Sequence, residues 1–378
     1  PGPVPVPVPE PDPGTGTGTG TGTTEPEIVP TTPPPTAAPG FSWHPFGYLR
    51  LQLGVVQNDP NVAFVGRDDG FELQNARVGV RGALDRRASF VISIDGAVDE
   101  RSRINDPDGT LRVGLRDAFI DFHVAGGVVD VRAGRFDAVF DPEHLYADTE
   151  RPFVDRALES RGTRPTEGWE ADGLPPGRSL GVAIRREPGA PASGVGIGFE
   201  LAVQNGADEF ASDNDNDLPA ISAAGLVRLA NGSALIAAAR WNPRTEGGLP
   251  FQQDETDLEG AIGARINAGP VEIGAGAIFV HTIFDTTGGP AQNAYGGHAQ
   301  VMVGVARGAV PIAVGYRFAI LDPSDLILTD RVMEHTAGAV IAWPAWHVRG
   351  QLNVTHVMEQ ADRDLSNGRV EAALEVDL

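Results

Sequence analysis

The sequence contains no cysteine, and all 29 of its basic residues are arginine, with no lysine anywhere. The missing cysteine excludes a disulfide framework, a thiolate metal site and a cysteine nucleophile. Positive charge is scarce overall: 51 Asp and Glu leave a formal net charge of −22. A nucleic-acid partner needs a basic surface to neutralise phosphates, so that class is excluded. No apolar run approaches the roughly eighteen residues of a transmembrane helix. A membrane is not thereby excluded. A closed barrel satisfies its backbone internally and needs only alternating residues, a much weaker signal per segment. The sequence opens at Pro1 without a basic or apolar leader, and the expectation for an exported chain is a signal peptide already removed.

Glycine (48) and proline (31) are abundant, and the first 40 residues concentrate them. PGPVPVPVPEPDP is followed by repeated Thr-Gly and then PTTPPPTAAPG. Proline fixes φ and removes a donor, and Thr-Gly repeats are flexible, so no core is buried here. Residues 1–40 are expected to be a disordered Pro/Gly/Thr-rich arm. Extended, it reaches on the order of 120 Å. It is either a plain spacer or a tether to cell wall or a periplasmic partner.

From Phe46 onward the pattern has period two. In AVPIAVGYRFAI (309–320), Val310, Ile312, Val314, Tyr316, Phe318 and Ile320 share one face, and Ala313, Gly315 and Arg317 the other. Sixteen such segments are predicted, near 46–56, 71–83, 88–98, 111–124, 128–136, 179–187, 194–204 and 219–229, and then near 233–242, 255–267, 271–284, 293–306, 309–320, 332–342, 346–358 and 368–378. An even count and about 9–11 residues per segment suit a bacterial transmembrane antiparallel β-barrel. Connections after even strands are short and those after odd strands longer and polar, which matches periplasmic turns and extracellular loops. Both termini, and so the arm, then lie on the periplasmic side. Trp43, Phe46, Trp343 and Trp346 are expected at one membrane interface, and Trp241 and Phe284 at the other. A soluble sandwich also alternates, but its second face would not carry Arg, Glu, Asn and Gly.

That second face predicts a wet lumen. Arg50, Arg77, Arg81, Arg112, Arg116 and Arg132 fall on it early, and Arg240, Arg265, Arg317 and Arg349 later. Inward carboxylates include Asp95, Asp130, Glu200, Glu259, Glu272, Glu371 and Glu375. Such charges either select ions by sign or solvate the lumen and pair across it. One connection is exceptional: residues 137–178, between the fifth and sixth strands. A structureless loop of that length is usually functional, and in a wide barrel its natural place is inside the lumen. Its Asp148, Glu150, Arg151, Asp155, Arg156, Glu159, Arg161 and Arg164 are the candidate constriction. Opposed charges there set up a transverse field. The alternative is an outward loop against lipopolysaccharide or a neighbouring subunit.

The runs FELQNARVGVRGAL (71–84), SFVISIDGAV (89–98), LRDAFIDFHV (115–124), VDVRAGRFDAVFDPEHL (129–145), FVDRALESR (153–161) and PPGRSLGVAIRR (175–186) together resemble the phosphate-selective porin O and P family. The resemblance covers the first half of the barrel; the second half shares only strand rhythm. It implies a sixteen-stranded, trimeric porin whose third extracellular loop folds inward. Residues 41–378 would be the porin domain, with 137–178 its constriction loop. Anion selectivity implied by the family name meets a contrary composition: no lysine, a loop with ten acidic residues against five arginines, and −22 overall. The residues leave the sign of selectivity open.

Two motifs are discounted. Gly177-Arg178-Ser179-Leu180-Gly181 fits a nucleophile elbow, but a loop precedes it and a strand follows, the reverse of the required context. Asp213, Asp215 and Asp217 begin with calcium-loop spacing, then lack the glycine and the glutamate that complete it. They form a solvated acidic loop or a weak divalent-cation site. No enzyme activity and no cofactor are expected. The expected function is passive diffusion of small hydrophilic or ionic solutes, anions such as phosphate among them, across the bacterial outer membrane, in contact with its lipid and lipopolysaccharide. The alternative is a structural outer-membrane protein tethering the envelope through its arm.

Overall fold

The computed structural model describes residues 40–67, 69–96, 113–168, 170–189, 194–206, 213–247, 250, 252–285, 291–360 and 364–378. The Pro-rich arm, but for Gly40, and Arg112 lie outside these residues. In the first half of the wall, β1 spans Phe41–Val56, β2 Gly70–Leu84, β3 Ala88–Asp95, β4 Gly114–Val124, β5 Val129–Asp137, β6 Arg178–Arg186, β7 Val195–Gln204 and β8 Ala220–Leu229. In the second half, β9 spans Ala234–Glu246, β10 Gln253–Ala268, β11 Val271–Phe284, β12 Gln292–Ala306, β13 Ile312–Asp322, β14 Val332–Trp343, β15 Val348–Glu359 and β16 Arg369–Asp377. Each pairs antiparallel with its chain neighbour, and β1 closes on β16 with Leu51 opposite Leu374. This is a closed sixteen-stranded barrel with no unpaired edge, the arrangement that leaves no backbone group unsatisfied toward lipid.

Strict alternation explains the wall. Along β7, exposed Val195, Ile197, Phe199, Leu201 and Val203 alternate with buried Gly196, Gly198, Glu200, Ala202 and Gln204. The exposed set faces outward and the buried set faces the lumen. The same parity runs through β16, where Glu371 and Glu375 point in while Val370 and Leu374 point out. Burying apolar side chains is not the organising force on the outer face; matching a hydrocarbon surround is.

The two ends differ. Tight turns join β2 to β3, β4 to β5, β8 to β9 and β10 to β11, with left-handed residues such as Gly232 (φ 81°) and Gly269 (φ 66°) that a Cβ would strain. The start of β1 and the end of β16 lie at this short-turn end, where Phe41 pairs with Leu84 and Tyr48 with Asp377.

Two interface aromatics fall elsewhere than expected. Phe46 shares parity with Arg50 and is buried inside the barrel, packed with Val91 and Phe119. Phe284 pairs with lumen-facing Glu255 and so points inward as well. Trp43 and Trp241 are exposed on the outer side, and Trp346 is exposed in the turn between β14 and β15. Strand ends also run past the apolar band: β1 begins at Phe41 and β9 continues to Glu246, held there by ladder pairing rather than by hydrophobic pattern.

Candidate functional site

The connection between β5 and β6 folds into the lumen. Its path is set by local chemistry. Asp141 caps a single 3-10 turn over Pro142–Leu145, its carboxylate accepting from the Glu143 N–H at 2.9 Å, and proline occupies the first turn where no donor is needed. A second 3-10 turn covers Asp148–Glu150, and one helical turn covers Leu158–Arg161. Gly162 ends that turn at φ 75° and enters a two-residue ladder with Ala171–Asp172. A Cβ there would strike the Ala171 carbonyl, so both the φ and the space require glycine.

Apolar side chains of the loop each meet an apolar patch on the lumen wall. Phe140 packs on Ala261 and Ile278, and Leu145 with Tyr146 on Ala234 and Ile236. Leu158 packs on Ala319, Leu321, Val332 and Val357. Between these patches the wall is carved by glycine. A Cβ on Gly263 would lie 2.9 Å from the Pro142 Cβ, and one on Gly338 would lie 2.8 Å from the Phe153 ring. Gly296 makes the same room for Glu159.

Charge and hydrogen bonds complete the docking. Arg317 donates to the carbonyls of Asp155 and Arg156, both at 3.0 Å, with its guanidinium 4.7 Å above Phe153. Arg349 and Gln351 both donate to the Arg151 carbonyl, at 3.0 and 2.9 Å. Arg161 bridges Glu334 at 2.6 Å and Glu167 at 2.9 Å. Arg164 pairs with Glu72, Arg265 approaches Glu150 at 3.5 Å, and His298 contacts Glu159. Asp155 receives Gln52 and Gln74.

Asp148 is the focus of one cluster. Its Oδ2 accepts from Arg116 at 2.6 Å and from the Tyr48 hydroxyl at 3.2 Å, and lies 3.5 Å from Arg77. Its Oδ1 lies 3.5 Å from Arg156 and 3.8 Å from Arg151. Arg50 donates to its backbone carbonyl at 2.5 Å. Burial opposes ionisation of Asp148, but Arg116, Arg151, Arg156 and Arg77 outweigh it and hold the carboxyl well below the usual range. Glu167 behaves likewise. Burial is outweighed by Arg161, Arg369 and Arg164, and its carboxyl falls to about 2. Glu143 is displaced upward, by burial first and by neighbouring Asp141 second.

The eight loop residues singled out from the sequence therefore all contact the barrel or one another. Among the wall arginines, Arg50 binds Glu375 at 2.8 Å, Arg77 binds Asp117 at 2.7 Å and Arg116 binds Asp95 at 3.0 Å. Arg132 grips Asp121 through two bonds of 2.8 and 2.9 Å over the Phe119 ring. Arg81 stands apart, half-buried, with its guanidinium 4.8 Å above the Phe46 ring. Apart from Arg81, the described wall arginines thus pair within the lumen rather than stand as a bare ladder.

The aspartates of the 213–217 run do not converge. Asn214 and Asn216 turn inward to bind backbone, leaving Asp213, Asp215 and Asp217 exposed, with Asp215 accepting from Thr245 N–H. Ser179 sits in β6 and donates to the Asn205 carbonyl at 3.0 Å. Sequence reasoning missed Asp117, Asp141, Glu334 and Arg369, and it missed the glycine groove. A signal existed for the groove: a water-filled wall has no use for Ile236, Ile278, Leu321 or Val357 at inward parity.

Comparison with known proteins agrees with the barrel fold. The family model for phosphate-selective porin O and P matches residues 47–214. The outer-membrane channel DcaP of Acinetobacter baumannii is similar in structure, with a TM-score of 0.61 at 12% identity over 90% of this chain and 99% of that one. The trimer form of OmpT of Vibrio cholerae gives 0.58 at 11% identity, over 90% and 100%. OmpF of Salmonella typhi, in complex with daunomycin, gives 0.55 at 12% identity, over 89% and 97%. No curated protein sequence matches significantly.

Proposed function

We propose that this outer-membrane β-barrel, whose first half matches the porin O and P family, is a passive diffusion channel for small hydrophilic or ionic solutes. One observation carries the reading: a loop of some 40 residues is docked inside a closed barrel by dedicated wall residues, the glycines above all. A loop held there narrows the passage. Size exclusion at the loop is the first filter. Charge is the second, set by the constriction residues Asp148, Glu150, Arg151, Asp155, Arg156, Glu159, Arg161 and Arg164 together with the wall arginines.

Because the described wall arginines other than Arg81 carry carboxylate or loop partners, selectivity by sign is weak in this reading, and the phosphate preference in the family's name is not assumed. Assembly as a homotrimer, as in the OmpT trimer form, belongs to the same proposal. Outward Trp43 and Trp241 suit contact with lipid and lipopolysaccharide headgroups.

Liposome swelling with sugars of graded size tests the filter. Entry of monosaccharides with exclusion of larger oligosaccharides supports it; no swelling with any solute overturns it. The reversal potential under a potassium chloride gradient reads the sign. A value near zero is expected, and a strongly one-sided value contradicts the neutralised wall.

A further inference from the structure

The face of the wall away from the lumen carries a cluster of its own. Met333-Glu334-His335 on β14 and His356-Val357-Met358 on β15 mirror each other in sequence. The antiparallel register sets Met333 opposite Met358 and His335 opposite His356. Glu334 and Val357 between them are buried toward the lumen, so alternation turns both methionines and both histidines outward. These are two of the chain's three methionines; Met302, the third, is buried opposite Glu272 on the lumen face. The His335 and His356 rings lie 6.5 Å apart and 27° from parallel. His335 is held in place from β13. The Phe318 ring lies 5.1 Å from it, and the Tyr316 hydroxyl shares a hydrogen bond of 2.5 Å with its Nδ1. A partner on one ring nitrogen fixes which nitrogen is offered outward, as an outer partner does for a metal-ligating histidine.

We propose that Met333, His335, His356 and Met358 form a copper(I) site on the outer wall. Opposed residues of a ladder have Cβ atoms about 4.5–5.5 Å apart, and same-face neighbours along a strand are about 7 Å apart. An ion seated above the sheet is within reach of all four, because methionine turns about three bonds and adapts its shape. Thioether sulfur is a soft donor that selects copper(I), and imidazole is a second good ligand for copper. Zinc and calcium gain nothing from the thioethers, since they take imidazole, thiolate or oxygen. The position gives access. Val332 and Glu359 end these strands at the long-loop side, each three residues beyond its histidine. The ligands thus lie near headgroup depth, where Tyr316 also belongs, and external water reaches them. The site is outside the passage, so it stands independently of the channel reading and adds metal capture at the cell surface to it.

The test is competition for copper(I), kept reduced with ascorbate, between the detergent-purified full chain and the coloured chelator bicinchoninate. Wild type is expected to withdraw one copper(I) per chain, and H335A/H356A to lose that uptake. M333L/M358L keeps the apolar bulk and removes only the sulfurs. Its copper(I) affinity should fall by more than the about tenfold that loss of an outer partner costs. X-ray absorption at the copper edge of the loaded wild type should show sulfur and nitrogen neighbours together. Failure of folded wild type to take up copper(I), equal affinity in M333L/M358L, or a shell of nitrogen and oxygen alone overturns the proposal. Gel mobility checks that each variant is a folded barrel. Should H335A/H356A not fold, the methionine variant and the wild-type absorption spectrum decide by themselves.

Discussion

Pro142 of the loop and Gly276 of β11 fit together so closely that a Cβ added to Gly276 would lie 2.5 Å from the Pro142 Cβ. The neighbouring strand repeats the relationship at Gly263. Loop and wall are therefore shaped to each other, and the loop's position inside the barrel is specified side chain by side chain.

Gly276→Val should displace the first turn of the loop while leaving the barrel closed, since Gly276 lies in a regular ladder opposite Gly263. Overpacking of this kind costs about 1–3 kcal/mol, small against the stability of a closed barrel. Single-channel recording should show a changed, larger conductance with more current noise. An unchanged conductance in a folded variant would mean the loop does not limit the passage.

Arg161 and Glu334 form a buried pair in which both side chains are 1% exposed. Removing one partner of such a pair costs about 3–5 kcal/mol, because the other is left charged and dry. Glu334 also binds Arg369 at 2.8 Å, and Arg161 also binds Glu167 at 2.9 Å, so Glu334→Ala and Arg161→Ala each strip two partners and both should lower thermal stability by a similar amount. Temperature of barrel unfolding, followed by circular dichroism or by gel mobility, checks the loss; an unchanged temperature in either variant contradicts it.

Acid should loosen the loop through Glu167. Its carboxyl lies at about 2, below the ordinary value of 4.5, because Arg161 and the other arginines prevail over burial. A depressed pKa contributes stability that is fully present above the ordinary value and is lost as pH falls from there toward about 2. Wild-type protein should therefore lose stability over that window, and Glu167→Gln, lower at neutral pH, should lose less of it. Parallel melting curves at pH 7 and pH 3 measure the difference.

Arg317 clamps the far side of the loop with two bonds to main-chain carbonyls. Arg317→Met keeps much of the apolar stem over Phe153 but removes both bonds, at about 1.5–3 kcal/mol each for charged donors. Proteolysis within residues 146–160 should become faster in the variant. Equal cleavage rates would remove Arg317 from the docking.

The barrel was legible because its signal is purely local. Period two places lumen-facing Arg50, Glu200 and Glu375 on the correct side, and all three are buried where parity puts them. The inward loop was legible from its length. What parity could not reach was pairing across the lumen. Arg161 and Glu334 are 173 residues apart, and nothing near either announces the other. Arg116 and Asp117 are both buried although adjacent, because the β3–β4 register slips between Ser93 and Ile94, and a bulge defeats any alternating pattern. That the inward charges pair across the lumen was one of the two readings open to the sequence, but which carboxylate each arginine meets was not legible. Phe46 was misplaced for the opposite reason: an aromatic near a strand end suggests a headgroup, yet its parity is that of the lumen.

The most direct test of the channel is the current carried by the pure protein in a planar bilayer, wild type beside Gly276→Val. A passage narrowed by a docked loop predicts discrete, stable conductance steps for wild type and larger, noisier steps for the variant. Absence of steps from correctly folded wild type, or identical steps from both proteins, would contradict it.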